Sequence, residues 1–198
     1  MFAPLDALRR HGKALVFVLC LLPLVLIAYS VAADKLGPDP VKSLIHLSGE
    51  WAIRLLLLTF AVTPLRRWLG WSSLLRYRRM MGLFSWFYVS LHLLIVATFL
   101  FAWDWTVVLE ELAERPYIIA GFAAWLLMVP MGLTSNDRSL RALRANWRRL
   151  HRLMYPLMLL AWLHIAWQAR SSYLDAFIYG VIILCLFLGR LRGSKTYA

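Results

Sequence analysis

Residues 80–101 read MMGLFSWFYVSLHLLIVATFLF, a run without one acidic or basic side chain and with a single histidine, His92. At about 1.5 Å per residue, a helix of this length reaches about 33 Å, enough to cross a hydrocarbon core of about 30 Å. The run is a solid apolar block, unlike the i, i+3, i+4 stripe of a water-facing helix. Working outward from it, five more blocks appear, at Ala14–Ala33, His46–Pro64, Tyr117–Thr134, Leu153–Ala169 and Ser172–Leu188. With 62% hydrophobic and 16% charged residues over 198 positions, the chain is too apolar for an ordinary soluble domain. The pattern predicts an all-α integral membrane protein, a six-helix bundle forming one domain over residues 1–198.

Charge placement orients the six crossings. Lys and Arg crowd the N-terminus, the loops after the second and fourth blocks, and the C-terminus; the other three loops carry only Lys35, Lys42, Arg115 and Arg170. Basic residues collect on the cytoplasmic side, so both termini are expected there. Asp34, Asp39, Asp104, Glu110, Glu111, Glu114 and Asp175 fall in or beside the opposite loops. The net charge of +12 then reads as cytoplasmic rims that meet anionic headgroups, not as a nucleic-acid surface. The first block follows Arg9, Arg10 and Lys13 and ends in Val31-Ala32-Ala33, as a signal peptide would. Its apolar run exceeds the usual 7–15 residues, which favours a retained helix. Cys20 and Cys185 lie inside blocks and form no ligand cluster. No GxGxxG or P-loop is present, so no nicotinamide or flavin domain is expected within the chain.

Five histidines occur, at positions 11, 46, 92, 151 and 164. Ionisable side chains inside a span are costly and tend to be functional. His92 follows Arg79 by 13 residues, and His164 follows His151, at the same rim, by 13. Both therefore lie about 20 Å into helices that run in the same direction. Two imidazoles at one depth suit the axial positions of a b-type haem, and ligation also relieves the cost of burying them. The alternative is two separate histidines, each hydrogen-bonded to a neighbouring helix. Zinc would need further Cys, His or carboxylate ligands at that depth, and there are none.

His151 sits near the basic rim. On a straight helix it would point about 140° away from His164, although Pro156 between them could bend the path. It could hold a second haem, but the matching depth on the third helix offers Arg78, Arg79, Met80 and Met81. The other ligand would have to be a Met, a residue such as His11, or none. Otherwise His151 would touch a propionate or a quinone headgroup. His46, Glu50 and Arg54 share one face of the second helix, four residues apart. They read either as an internal ion pair, or as a propionate anchor through Arg54 with a proton path through His46 and Glu50.

The blocks GPDPVKSLIHLSGEWA (37–52), TPLRRWLG (63–70), RRMMGLFSWFYVSLHL (78–93), ERPYIIAGFAAW (114–125) and WRRLHRLMYPLMLLAWLHIAW (147–167) resemble the MsrQ (YedZ) family. The family is similar to the membrane domain of ferric reductases and NADPH oxidases. The resemblance implies a multi-pass haem subunit of the bacterial inner membrane, with one or two haems b. It implies His92, His164 and His151 as iron ligands, and an electron-transfer subunit, not the catalytic one. It further implies electrons from quinol or a flavin reductase, delivered to a periplasmic molybdenum-containing MsrP-like reductase that repairs methionine sulfoxide. FMN binding also belongs to the family, though no residue here selects it. The larger relatives carry two histidines on each ligand helix, whereas the third helix here has only His92. The acidic loop Asp104–Arg115 is a candidate docking surface. The rival readings are a proton- or ion-coupled transporter working through His46, Glu50 and Arg54, and a structural anchor for a partner enzyme.

Overall fold

The computed structural model describes residues 3–169 and 173–192, with side chains from 12 to 169 and 173 to 190. Ser172, where the sixth block was expected to begin, lies outside the described residues. Among those residues the regular structure is entirely helical. Helix α1 is Ala3–Ala32, α2 Pro40–Leu69, α3 Leu75–Phe99, α4 Trp105–Glu114 and α5 Pro116–Leu133. Then come α6 (Asp137–Leu143), α7 (Ala145–Leu150), α8 (Met154–Gln168) and α9 (Leu174–Arg192). The apolar blocks fall in α1, α2, α3, α5, α8 and α9. The segments 12–32, 40–69, 72–99 and 116–133 are long and apolar enough to cross a membrane. Helix α8 has 15 residues, about 22 Å, and is extended at its start by a 3-10 turn over His151–Leu153.

Local chemistry sets the ends of these helices. Asp39 caps α2 by accepting from the Lys42 N–H at 3.0 Å, and Pro40 occupies the first turn, where no N–H is needed. The helix stops at Gly70, whose φ of +69° is the left-handed conformation that favours glycine. The three short helices were not anticipated. Helix α4 fills the acidic loop with Asp104 as its cap, and α6 and α7 fold up the basic stretch between α5 and α8. Pro156 falls in the first turn of α8, so it starts that helix and does not bend it.

Helix α2 packs mainly on α3, and α5 on α8; the two pairs meet more lightly through α3 and α5, with α9 resting on α8 and α2. The densest core lies toward the basic end of the bundle, where Phe60, Leu157 and Met158 are fully buried with Ile53, Leu56 and Met128. Two prolines inside helices are answered from other helices. Pro64 has no N–H to offer the Phe60 carbonyl; Arg190 of α9 donates to that oxygen at 2.6 Å and stacks 3.8 Å above the Phe60 ring. Beside Pro23 the α1 ladder opens, and the buried Tyr88 hydroxyl enters it. This group accepts from the Leu24 N–H and donates to the Cys20 carbonyl, both at 2.9 Å.

Candidate functional site

The packing of α2 on α3 and of α5 on α8 brings His92 and His164 together across the lighter seam. Their ring centroids are 6.3 Å apart, and their planes cross at 80°. Each ring is anchored through Nδ1. His92 donates to the Ile45 carbonyl at 3.2 Å and to Ser48 Oγ at 3.1 Å, while the Ser48 hydroxyl itself donates to Ile45 at 3.0 Å. His164 donates to the Tyr117 carbonyl at 2.7 Å. A carbonyl carries no proton, so Nδ1 is the protonated nitrogen in both rings and Nε2 keeps its lone pair. This is the tautomer a metal requires, with the second nitrogen held by a backbone acceptor.

The spacing suits one metal between the rings. Two imidazoles ligating through Nε2 from opposite sides, at about 2.0–2.1 Å per bond, put their centroids roughly 6.3 Å apart. Among the described residues no group of three or more His, Cys, Asp or Glu could hold a metal. Two protein ligands suit an iron whose other four come from a macrocycle. The rings lie close against glycines of the neighbouring helices. A Cβ added to Gly49 would stand 3.2 Å from His92 Cε1, and one on Gly121 would stand 2.6 Å from His164 Nδ1.

The remaining predicted residues make contacts of their own. His151 stacks on Trp147 with centroids 3.8 Å apart and donates through Nδ1 to the Trp147 carbonyl at 3.0 Å. Burial, helped by the nearby Arg78 charge, holds its pKa below the ordinary histidine value against the Trp147 carbonyl. It walls a cavity of about 290 Å³ with Arg78, Ser85, Trp86, Asn136 and Met154. Ser85 Oγ and Trp86 Nε1 are buried without a hydrogen-bond partner. Arg79, also on this wall, is engaged by Asp137 at 2.5 Å and the Ser135 carbonyl at 2.7 Å. Arg54 pairs with Glu50 at 2.7 Å and lies 5.1 Å from the Trp51 ring. Together with His46 it forms an exposed stripe of α2, while Ser48 and Ala52 turn inward. The His11 side chain lies outside the described residues.

Sequence reasoning missed Ile45, Ser48, Gly49, Tyr117 and Gly121, which hold the rings. The available signal was the pair of small-residue stretches SGEWA (48–52) and AGFAA (120–124), each lying 43 residues from a histidine when counted from its glycine.

The family described as ferric reductase like transmembrane component matches residues 48–162, from Ser48 through His92 and His151 to just short of His164. A relative from Xanthomonas campestris pv. campestris (strain B100), named protein-methionine-sulfoxide reductase heme-binding subunit MsrQ, is 43% identical over 198 residues, covering 94% of this chain and 90% of its own. Proteins of the same name from Xanthomonas axonopodis pv. citri (strain 306) and Polaromonas naphthalenivorans (strain CJ2) are 42% and 37% identical, covering 88% and 90% of this chain and 83% of each relative. The chain belongs to the MsrQ family. No solved structure matches the chain.

Proposed function

We propose that the chain is a membrane electron-transfer subunit that carries b-type haem between His92 and His164. It would pass electrons to a periplasmic, molybdenum-containing MsrP-like reductase that repairs oxidised methionines. The observation that carries this reading is the imidazole pair, 6.3 Å apart with both Nδ1 atoms committed to backbone carbonyls. Haem bound there would supply a one-electron carrier. Ile45, Ser48 and Tyr117 would orient the two imidazoles and tune the basicity of their Nε2 atoms, and the apolar walls of α2, α3, α5 and α8 would keep water away.

On this reading the chain crosses the bacterial inner membrane six times with both termini in the cytoplasm, α8 and α9 completing the four longer spans. The cavity beside His151 opens toward the basic end, where a quinol or a flavin reductase would deliver electrons. Its orphaned Ser85 hydroxyl and Trp86 N–H are suited to a polar-edged ring, or to the propionates of a second haem. Exposed Glu110 and Glu114 on α4 would offer acidic groups to a periplasmic partner. The test is the reduced-minus-oxidised visible spectrum of the purified protein beside His92→Ala and His164→Ala. Haem b bands lost in both variants support the shared ligand pair. A colourless wild type, expressed with ample haem, overturns it and favours transport through the His46–Glu50–Arg54 stripe.

A further inference from the structure

One device seats both imidazoles. His92 and its acceptor Ile45 are 47 residues apart, and so are His164 and Tyr117. Each acceptor carbonyl lies four residues before a glycine, Gly49 or Gly121, and the whole arrangement in α2–α3 recurs in α5–α8 shifted by 72 positions. Small buried residues flank each glycine, Ser48 and Ala52 in one hairpin and Ala120 and Ala124 in the other.

We propose that Gly49 and Gly121 are positioning residues that seat the axial imidazoles against the backbones of α2 and α5. The inference rests on the reading of His92 and His164 as haem ligands. In an α-helix the Cα–Cβ bond tilts toward the N-terminus, so a side chain covers the turn before it, including the carbonyl four residues back. That carbonyl already accepts the helix's own N–H, and at Ile45 the Ser48 hydroxyl of the same helix as well; a donor from another helix comes close to it where the covering side chain is missing. Glycine removes the cover. The imidazole then sits against the notch, and its Nδ1–H reaches the carbonyl oxygen. Two such seats on facing hairpins fix two ring planes, here 80° apart. The seats are unequal. A methyl at Gly49 would need a few tenths of an ångström from His92, whereas one at Gly121 would sit 2.6 Å from Nδ1 and 2.9 Å from Cε1 and must evict the ring.

The test uses full-length protein in detergent, with haem content and the electron paramagnetic resonance spectrum of the oxidised form as readouts. Near-perpendicular imidazole planes give a highly anisotropic low-spin signal, which wild type should show. Gly49→Ala should keep its haem but move the signal toward an ordinary rhombic one. Gly121→Ala should lose most of its haem or become high-spin. Wild-type spectra in both variants would overturn the proposal. If Gly121→Ala folds poorly, the same substitution is made in the His164→Ala background. There the added methyl meets no ring, and folded yield and melting temperature should match those of His164→Ala alone. An equal penalty in that background would show that the glycine serves helix packing and would overturn the seat. The comparison needs no haem, so a colourless wild type would refute the ligand reading without deciding the seats.

Discussion

Removing the Ser48 hydroxyl should raise the midpoint potential of the haem and leave its ligands in place. His92 Nδ1–H is shared between the Ile45 carbonyl at 3.2 Å and Ser48 Oγ at 3.1 Å. An acceptor on this proton pushes electron density into the ring and makes Nε2 a stronger donor, which favours ferric over ferrous iron. A neutral hydrogen bond is worth about 1 kcal/mol, and only its difference between the two oxidation states enters the potential. Taking that difference as about half gives about 0.5 kcal/mol, or about 20 mV for a one-electron couple. Ser48→Ala is therefore expected to shift the potential upward by about 10–40 mV in a spectroelectrochemical titration. Ligation should survive, because Ile45 still accepts from His92. No orphan group is created, since the Ser48 hydroxyl leaves together with both of its bonds. A lowered or unmoved potential with an intact spectrum would refute the reasoning. So would a loss of haem as complete as in His92→Ala, since Ser48 would then be essential to ligation and not a modulator of it.

The other predictions concern the bundle and its rims. Tyr88→Phe leaves the Leu24 N–H and the Cys20 carbonyl facing each other across an open ladder, and should lower unfolding free energy by about 1–2 kcal/mol in detergent. The same change beside Pro23→Ala should cost much less, because α1 can then close its own bond; equal costs in both backgrounds would contradict this. Arg190→Leu strips the Phe60 carbonyl of its donor and the ring of its cation, and a melting curve should report a loss of about 2–3 kcal/mol. Ser85→Leu partly fills the cavity beside His151, so reduction by quinol or flavin reductase should slow severalfold while the haem bands stay. Wild-type reduction kinetics would remove the cavity from the path. The Asp104 carboxyl is held below its ordinary pKa first by the Thr106 hydroxyl, then by the Thr106 N–H. A depressed carboxyl stabilises above its unfolded-state value and loses that effect as pH falls through the folded one. The protection of α4 amides, corrected for intrinsic exchange, should therefore fall only below about pH 4, and Asp104→Ala should remove that pH dependence.

Much of the helical plan was legible because membrane crossing demands length and apolarity in one continuous run. The block at 80–101 could not be anything else, and the equal spacing from rim to histidine already placed His92 and His164 at one level. What was not legible depends on side-chain direction and on short polar segments. Helix α4 hides in a loop that reads as a plain acidic stretch, since its ten residues are too few for a strong periodic signal. Pro156 looked like a bend because composition does not reveal that α8 starts two residues before it. Both readings of Arg54 stayed open because four-residue spacing gives a shared face but not which way that face turns. Gly49 and Gly121 passed unnoticed because a missing atom leaves no mark in a hydropathy pattern, and only the acceptor and the ring together reveal what the gap admits.

The 72-residue repeat explains why the two levels of the bundle differ. Carried along α3 and α8, the same shift that pairs His92 with His164 pairs Arg79 with His151. At the upper level the two hairpins contribute equivalent groups, each with its seat, and a metal between them meets two nitrogens. At the lower level one hairpin offers an imidazole and the other a guanidinium that is already bound to Asp137 and the Ser135 carbonyl. A guanidinium stays protonated and has no lone pair to give a metal. Whatever occupies the lower cavity therefore meets at most one nitrogen from these two positions, beside fixed positive charge and two orphaned donors, Ser85 and Trp86. On our reading that asymmetry divides the work. The matched level holds the carrier, and the mismatched level receives the group that feeds it. Replacing Arg79 with His tests the division, because a second pair of imidazoles at the lower level should add a second low-spin haem signal if symmetry of ligands is all that the level lacks. An unchanged haem count would mean that the cavity's shape, and not its missing nitrogen, sets what binds there.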